Sequence, residues 1–283
     1  MRVAISGSHG LIGSALIEAL EAEGDEVTRL ARGVADPAVL EGHDAVVHLA
    51  GAGIGDHRWT DSYKRLVLES RVKGTTALAK ALAGLERKPG VLVSGSAVGY
   101  YGDRGEEALT EASAPGTGFL SDVVQQWEAA AAPAADAGIR VVNIRSGIVM
   151  TGRGGALKKQ LLPFKLGLGG RLGSGKQYLS WVALEDEIGG IRHALSNESV
   201  RGPINLTAPN PVTNREFTKT LGRVLRRPTL IPVPTPALDL ILGRQLVREM
   251  LLGGQRVLPA VLQAHRYEFR YPQLEDALRS ATA

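Results

Sequence analysis

The 283-residue chain contains no cysteine, which excludes disulfide bonds and thiolate chemistry but leaves the redox compartment undetermined. It also lacks a block of basic residues, since no run is longer than pairs such as Lys158-Lys159 and Arg226-Arg227. The formal net charge of +4 therefore does not indicate a nucleic-acid-binding protein. Histidines and acids form no cluster of the metal-binding type, so no metal is expected.

Long apolar runs are missing as well. No uninterrupted apolar stretch reaches the length of a membrane span, and no charged-then-apolar leader precedes the first strand-like run. We therefore expect a cytoplasmic protein without a membrane partner, whose partner is a small-molecule substrate. With 44% hydrophobic and 22% charged residues, the 283-residue chain can form one large α/β domain with an appended lobe, or two modest domains.

A glycine-rich turn near the N-terminus is the most informative feature. The β-branched run 1–6 precedes Gly7-Ser8-His9-Gly10-Leu11-Ile12-Gly13, and a helical pattern follows over residues 14–23. This order of strand, G-x-x-G-x-x-G and helix is the one that a dinucleotide pyrophosphate site requires. Gly7 would permit the tight turn, Gly10 the approach of the phosphates, and Gly13 the packing of helix on strand. The first N–H groups of the helix would then face an anion.

The end of the second predicted strand, residues 26–32, distinguishes NAD from NADP. A carboxylate there would bind the ribose 2′-hydroxyl of NAD, whereas an arginine suits the 2′-phosphate of NADP. The strand closes on Ala31-Arg32, and the nearest acids, Asp25 and Glu26, lie at its start. Because guanidinium and phosphate form paired, charge-assisted hydrogen bonds, we expect NADP as the cofactor. The alternative is that Arg32 is a solvated loop arginine.

Strand-like and helix-like segments alternate beyond this turn. Strands are predicted at residues 45–50, 91–96, 140–144 and 203–206, and helices at 61–85, 122–135 and 185–195. The alternation predicts an α/β fold with a doubly wound parallel Rossmann sheet and a smaller C-terminal substrate lobe. In that lobe we predict a long glycine-rich loop, a helix, and a short strand followed by a helix, at residues 151–180, 237–252 and 266–278.

The domain division follows from these elements. Residues 1–150 would form the NAD(P)-binding Rossmann domain, completed by about 183–207, while 151–182 and 208–283 would form the glycine-rich loop and the substrate lobe. In open α/β sheets, ligands bind beyond the carboxyl ends of the strands. The loops at Ala50-Gly51, Ser94-Gly95-Ser96 and Arg145-Ser146-Gly147 should therefore surround the nicotinamide of a bound dinucleotide.

Three segments resemble the short-chain dehydrogenase/reductase superfamily, particularly its extended, epimerase-like branch: G-S-H-G-L-I-G (7–13), H-L-A-G (48–51) and S-G-S-A-V-G-Y-Y-G (94–102). In that superfamily a serine or threonine after the fourth strand holds the substrate oxygen. The resemblance implies this role for Ser96, with Ser94 beside it. A downstream Tyr-x-x-x-Lys supplies the proton there, but none of the six tyrosines here has lysine four residues later. An unassisted phenol is a poor acid or base at neutral pH, so this catalysis is not expected.

Further segments, spread over essentially the whole chain, resemble an atypical branch of this superfamily, loosely named nucleoside-diphosphate-sugar epimerases. They are R-W-T-D-S-Y-K (58–64), E-S-R-V-K-G-T (69–75), W-E-A-A-A (127–131), R-S-G-I-V-M (145–150), L-G-L-G-G-R-L-G-S-G-K-Q-Y-L-S-W-V (166–182) and L-L-G-G-Q-R-V-L-P (251–259). The resemblance implies NADP binding, no tyrosine–lysine pair and an unassigned substrate. Ala183, after W-V, and Arg244, where an acid is common, depart from the pattern on the substrate side.

The candidate site residues fall into three groups. The cofactor-binding candidates lie in the turn and the loops around it: Gly7, Ser8, Gly10, Leu11, Ile12, Gly13, Ala31, Arg32, Leu49, Ala50, Gly51, Arg71 and Ser94. The catalytic candidates are Ser96, Tyr101 and Glu128, and the substrate candidates are Glu111, Gln177 and Trp181.

Several of these side chains have a second interpretation. Arg71 would pair with a cofactor phosphate or ribose, or with Glu69 on the surface. Glu128 would act as a general acid/base if burial raised its pKa, and is otherwise a solvent-facing carboxylate. Trp181 is either a substrate contact or an apolar anchor. His48, inside an apolar strand, is expected to be a satisfied core histidine.

The function that follows is an NADP-binding, epimerase-like oxidoreductase or isomerase that acts on an unidentified small carbonyl, hydroxyl or sugar-nucleotide substrate. A second hypothesis is a non-catalytic NADP-binding redox sensor or regulatory protein, because the tyrosine–lysine pair is missing. A third is an isomerase in which NADP stays bound and the hydride returns within one cycle.

Overall fold

The computed structural model describes residues 1–31, 33 and 36–283, so Arg32 lies outside the described residues. Within these ranges, six parallel strands form a central sheet: β1 (Arg2–Ser6), β2 (Glu26–Arg29), β3 (Ala45–His48), β4 (Val91–Ala97), β5 (Arg140–Ser146) and β6 (Gly202–Leu206). Their order is β2-β1-β3-β4-β5-β6. This is the doubly wound parallel sheet that the sequence predicts, and its order reverses between β1 and β3.

The longer helices are α1 (Leu11–Ala22), α2 (Asp61–Ala83), α3 (Phe119–Ala129), α4 (Gly155–Lys165), α5 (Leu184–Ser196), α6 (Asn214–Leu225), α7 (Thr235–Leu242) and α8 (Leu274–Thr282). Short helical segments cover Pro37–Leu40, Val98–Tyr101, Ala132–Asp136, Arg244–Leu246, Val247–Leu252 and Ala260–Ala264. Local sequence sets several of the helix starts. Thr60 caps α2, and Thr213 with Glu216 forms a capping box on α6.

Alternate residues of the central strands face two separate cores. Val3 and Ile5 of β1 pack with α1 and α5, whereas Ala4 between them packs with α2 on the opposite face. All three side chains are fully buried. Burial on both faces explains why these strands are continuous apolar runs rather than alternating ones.

The C-terminal region has a core of its own around Trp181, which packs with Leu157 of α4, Phe217 of α6 and Leu278 of α8. Short two-residue and three-residue ladders connect its segments: Ile148–Met150 pairs with Trp181–Ala183, Tyr178–Leu179 with Val212–Thr213, and Ala108–Leu109 with Arg256–Val257. No helix in the part of the chain that the structure describes is long and apolar enough to cross a membrane.

The glycine-rich segment 151–180 is not the continuous loop that its composition predicts. It contains α4, in which Leu157 and Phe164 lie seven residues apart and bury the same face in the C-terminal core. A spacing of seven residues is two helical turns, so packing against Trp181 favours a helix despite the flanking glycines.

Three other predicted elements also differ from the structure. The helix predicted at 122–135 is α3 followed by Ala132–Asp136, with Pro133 in the first turn of the second helix. The helix predicted at 237–252 is broken after α7 by Gly243, whose φ of +92° does not continue a helix. The strand predicted near residue 266 is not formed, and only the helix α8 is found there.

Asp186 attaches the C-terminal segment to the first turn of α5. Its two carboxylate oxygens accept hydrogen bonds from the backbone N–H groups of Arg270, at 2.7 Å, and Tyr271, at 2.9 Å. The Tyr267 hydroxyl donates to the same side chain at 3.4 Å. Burial raises the pKa of Asp186, while the backbone hydrogen bonds favour its charged form.

We expect Asp186→Ala to lower the free energy of unfolding by about 2–4 kcal/mol, because two backbone N–H groups lose a buried, charged acceptor. Glu268→Ala, an exposed acid in the same segment, is the matched control and should change it little. Urea denaturation of both variants measures the difference. An equal, small effect of the two substitutions would contradict this role of Asp186.

Candidate dinucleotide-binding and active site

The glycine turn closes tightly against the neighbouring strand. Gly7 follows β1 with a left-handed φ of +74°, and a Cβ on it would lie 2.7 Å from the carbonyl carbon of Leu49. A Cβ on Gly13 would overlap the carbonyl oxygen of Gly7, and the Gly10 N–H donates to that oxygen at 2.9 Å. Side chains at Gly7 and Gly13 are therefore excluded by backbone, for the turn and helix-packing reasons that the motif predicts.

The turn leaves the start of α1 open. Gly10 is its N-cap residue, and no side chain of the described residues caps the helix. The N–H groups of Leu11 and Ile12 in its first turn lack intrahelical acceptors and can bind an anion. We call the space between the carboxyl ends of β1 and β3, bounded by Gly7 and Leu49-Ala50-Gly51, the β1–β3 crevice.

The candidates next to this crevice differ in exposure. Ser8 is buried, with its hydroxyl 3.2 Å from the His9 Nδ1 atom. Ala31 is exposed just after β2. Arg32, the predicted 2′-phosphate ligand, is one of the residues that are not described, and its role stays a prediction. Ser94 is fully buried within β4 and lies behind the strand end rather than at it.

Arg71 of α2 is buried directly behind Gly51. A Cβ on Gly51 would lie 3.2 Å from the Cζ atom of Arg71. The Nη1 atom of Arg71 donates to the Ala52 carbonyl at 2.9 Å. The same guanidinium stacks on Trp127, 4.9 Å from the ring centroid. Burial lowers its pKa to about 10. The surface pair with Glu69 is a wrong interpretation, since Glu69 pairs with Lys73 instead.

Ser96 ends β4 beside a buried ion pair. Its hydroxyl donates to Glu128 Oε1 at 2.6 Å, and Glu128 lies on α3. Arg145, which is opposite Ser96 in the register of β4 and β5, donates from Nε and Nη2 to the two carboxylate oxygens at 2.8 and 2.9 Å. Glu128 is 13% exposed and Arg145 3%, so the solvent-facing interpretation of Glu128 is wrong.

The same guanidinium connects this pair to Tyr101. Arg145 Nη1 donates to the Tyr101 hydroxyl at 2.9 Å, and that hydroxyl donates to Asn205 Oδ1 at 2.7 Å. Arg145 also stacks on Tyr100, with Cζ 3.5 Å from the ring centroid. Tyr101 is fully buried, and burial raises its pKa. The catalytic role of Tyr101 stays a prediction, and in this structure its hydroxyl is hydrogen-bonded to Arg145 and Asn205.

Glu111 binds the protein's own backbone rather than an open pocket. Its Oε1 atom accepts from the N–H groups of Asn205, at 3.0 Å, and Val261, at 3.2 Å. These contacts join β6 to the helical segment Ala260–Ala264. The Oε2 atom of Glu111 is buried without a partner among the described residues, and the predicted substrate contact of this side chain stays a prediction.

Gln177 and Trp181, the other substrate candidates, are also held internally. Gln177 Nε2 donates to the carbonyls of Leu172 and Leu251, at 3.2 and 3.1 Å. Trp181 is fully buried, and its indole N–H donates to the Asn210 carbonyl at 2.9 Å. Trp181 is thus packed as an apolar anchor in this structure, and its predicted substrate contact stays a prediction.

His48, at the end of β3, is only half satisfied. Its Nδ1 atom lies 2.5 Å from the Ser6 hydroxyl, but its Nε2 atom is buried without a partner among the described residues. Burial lowers the pKa of His48 to about 4, so the ring is neutral at neutral pH.

Glu187 is a buried carboxyl group near the strand ends that the sequence did not reveal. It lies on α5, is fully buried, and accepts a hydrogen bond from the Ser146 hydroxyl at 2.5 Å. Its Oε2 atom has no partner among the described residues. Burial raises the pKa of Glu187 to about 8. In the sequence it follows Glu185 and Asp186 and is indistinguishable from an ordinary acid in a first helical turn.

Three features together define an α/β protein of the dinucleotide-binding class: the strand order, the close backbone contacts at Gly7 and Gly13, and the uncapped start of α1. Residues 3–206 match the model of the NAD dependent epimerase/dehydratase family, and residues 233–281 match a domain of unknown function, DUF1731. The chain belongs to the NAD dependent epimerase/dehydratase family.

Relatives of similar length support this membership. Epimerase family protein MT2273 of Mycobacterium tuberculosis is 40% identical over 295 residues, covering 99% of this chain and 97% of the relative. Epimerase family protein SDR39U1 of Homo sapiens is 38% identical over 299 residues, covering 100% of both chains.

Two solved structures share both fold and sequence with this chain. The crystal structure of human SDR39U1 (isoform2) with NADPH has a TM-score of 0.93 at 38% identity and covers 99% of each chain. The nucleoside-diphosphate sugar epimerase from Corynebacterium glutamicum has a TM-score of 0.82 at 37% identity, covering 99% of this chain and 58% of that chain. The extended epimerase-like fold of the short-chain dehydrogenase/reductase type is therefore confirmed.

We expect Glu128→Ala to lower the free energy of unfolding by about 3–5 kcal/mol, because it leaves the buried Arg145 guanidinium without its carboxylate. The double variant Glu128→Leu/Arg145→Met removes both charges and should recover most of this loss. Asp122→Ala, an exposed acid on the same helix, is the control. Urea denaturation of the single variant, the double variant and the control measures their free energies of unfolding. A double variant as unstable as Glu128→Ala would contradict the ion-pair explanation.

Proposed function

We propose that this protein binds NADP in the β1–β3 crevice and uses it as an epimerase-like oxidoreductase or isomerase. The substrate class is a small carbonyl or hydroxyl compound, including sugar nucleotides. The observation that carries the proposal is the turn at Gly7–Gly13. Backbone atoms occupy the space that side chains at Gly7 and Gly13 would need, and no side chain of the described residues caps the first N–H groups of α1. The NADPH in the crystal structure of human SDR39U1 supports the choice of cofactor.

The residues present fit a dinucleotide. The start of α1 would hold the pyrophosphate. The residues after β2, including Ala31 and Arg32, would hold the adenosine ribose with its 2′-phosphate. Leu49-Ala50-Gly51 would contact the stretch between them. The bound dinucleotide would supply or accept a hydride. The residues of the chain would bind and orient the substrate and carry its hydroxyl proton.

Ser96 is the residue best placed to orient a substrate oxygen at the carboxyl end of β4. Because Glu128 accepts its proton, the Ser96 oxygen keeps its lone pairs for a donor, which a substrate hydroxyl provides. Arg145 holds Glu128 in place through two hydrogen bonds. Ser96 and Glu128 would therefore receive the hydroxyl proton when an alcohol is oxidised and return it when a carbonyl is reduced.

We expect NADPH to bind more tightly than NADH, by about ten- to hundredfold, because Arg32 would form charge-assisted hydrogen bonds with the 2′-phosphate. Arg32→Ala should remove most of this preference. Arg29→Ala is the matched control, since Arg29 is exposed on β2 and pairs with Glu21. Isothermal titration calorimetry with each dinucleotide measures the affinities. If the unmodified protein bound NADPH and NADH equally, the assignment of Arg32 would be refuted. If it bound neither dinucleotide, the whole proposal would be refuted.

A redox sensor that binds NADP without turnover is the second candidate. It is favoured by the missing tyrosine–lysine pair and by the burial of the Tyr101 hydroxyl between Arg145 and Asn205. Such a protein would change its binding to a partner between NADP-bound and free states, and would oxidise no NADPH.

The two candidates are separated by screening sugar nucleotides and carbonyl compounds for NADPH oxidation. For the enzyme, we expect Ser96→Ala to lower turnover by about 10²- to 10⁴-fold, the range of a lost proton-transfer group, with unchanged NADPH affinity. Ser280→Ala, an exposed serine of α8, should leave turnover unchanged. Cofactor that copurifies and is never released would point to the isomerase. Turnover that survives Ser96→Ala would refute the role of Ser96.

A further inference from the structure

Two carboxyl groups sit beside two serines at neighbouring strand ends, in opposite environments. Glu128 pairs with the Arg145 guanidinium and accepts the Ser96 proton, on the face of the sheet that carries α3. Glu187 accepts from Ser146 at the end of β5, on the face that carries α1 and α5. Of the two, only Glu187 has no role in the function proposed above.

No cation reaches Glu187 in the described ranges. On α5 itself Glu185 is exposed, and the backbone of the C-terminal segment binds Asp186. The exposed acids Glu18, on α1, and Glu23, directly after it, pair with Arg153 and Arg192 respectively.

The remaining elements around Glu187 also present no compensating charge. The Arg145 side chain of β5 is held by Glu128, and the Tyr267 hydroxyl is bound to Asp186. β4 and β6 present the neutral side chains of Ala97 and Leu206 at the positions paired with Ser146. Burial is therefore the cause of the raised pKa of Glu187, and the hydrogen bond from Ser146 opposes it.

The place of this pair connects it to the dinucleotide. The start of α1 lies at the carboxyl edge of the sheet, and α5 packs beside α1 on the same face. Since β2 lies on one side of β1, a dinucleotide with its adenosine there must extend its nicotinamide half past β3 toward β4 and β5. Ser146, at the end of β5, is half-buried at this edge, with Glu187 behind it.

We propose that Glu187, acting through Ser146, makes the relative affinity for oxidised and reduced nicotinamide dinucleotide depend on pH. The inference rests on the proposed function. The oxidised ring carries a positive charge and the reduced ring does not. A carboxylate at Glu187 would attract the positive charge of the oxidised ring, and the poorly solvated interior would screen this attraction little. A protonated, neutral carboxyl group would not distinguish the oxidised from the reduced ring.

The sign follows from the protonation state. Below a pKa of about 8 Glu187 is protonated, and above it the carboxylate forms. Raising the pH through this range should therefore strengthen binding of NADP⁺ relative to NADPH. For charges separated by several ångströms of protein, the expected change in the affinity ratio is about three- to tenfold. The 2′-phosphate is common to both forms, so its own titration cancels in the ratio.

The experiment is calorimetric titration of the full chain with NADP⁺ and with NADPH, at about pH 6.5 and about pH 9, on either side of that pKa. The affinity ratio should rise with pH in the unmodified protein and stay constant in Glu187→Gln, a neutral isostere of the protonated acid. Glu185→Gln, the same change two residues earlier at an exposed position, should keep the rise. Ser146→Ala removes a hydrogen bond that lowers the pKa, so its rise should move to higher pH.

A second measurement detects the carboxyl group itself rather than the affinity for the dinucleotides. An infrared difference spectrum between the NADP⁺-bound and NADPH-bound protein near neutral pH should contain the band of a protonated carboxyl group, and Glu187→Gln should remove it. A pH-independent ratio in the unmodified protein, or an equal rise in Glu187→Gln, would overturn the inference while leaving NADP binding intact. Absence of binding of both dinucleotides would overturn the proposed function instead.

Discussion

The contact between the Gly7 turn and the backbone of the next strand is the constraint on which the site depends. Gly7 turns with a left-handed φ against Leu49 and Ala50, and α1 starts so close to it that Gly13 has no room for a side chain. This approach places the first N–H groups of a helix at the point where the strand order reverses. Its anion-binding capacity comes from the backbone, so the rest of the site needs no charged side chain at that end.

Arg145 organises the opposite side of the site. One guanidinium binds Glu128, supports the Tyr101 hydroxyl and stacks on Tyr100, so a single buried cation links the ends of β4 and β5 to Asn205 of β6. Such a cation is stable in the interior only because each of these partners is in place. Through Glu128 this network also fixes the position of the Ser96 hydroxyl near the end of β4.

Local sequence was sufficient wherever the determinants of an element are contiguous. The glycine turn, the order of the six strands along the chain and the doubly wound sheet were predicted because they depend on short-range patterns. Local patterns were not sufficient where distant residues decide the contacts. Helix α4 forms in a glycine-rich segment because Leu157 and Phe164 find a core, and Glu111 binds N–H groups of Asn205 and Val261, which are far from it in the chain.

By itself, then, the sequence determined the parallel α/β class, the turn that can bind a dinucleotide, and the absence of a tyrosine–lysine pair. Only the tertiary structure decided which groups the described candidate side chains contact. Glu128 and Glu187 are both glutamates on helices, yet one meets a guanidinium and the other an apolar interior. The physical reason is that the charge of a buried carboxyl depends on the groups that surround it, and those groups come from parts of the chain that no local pattern connects.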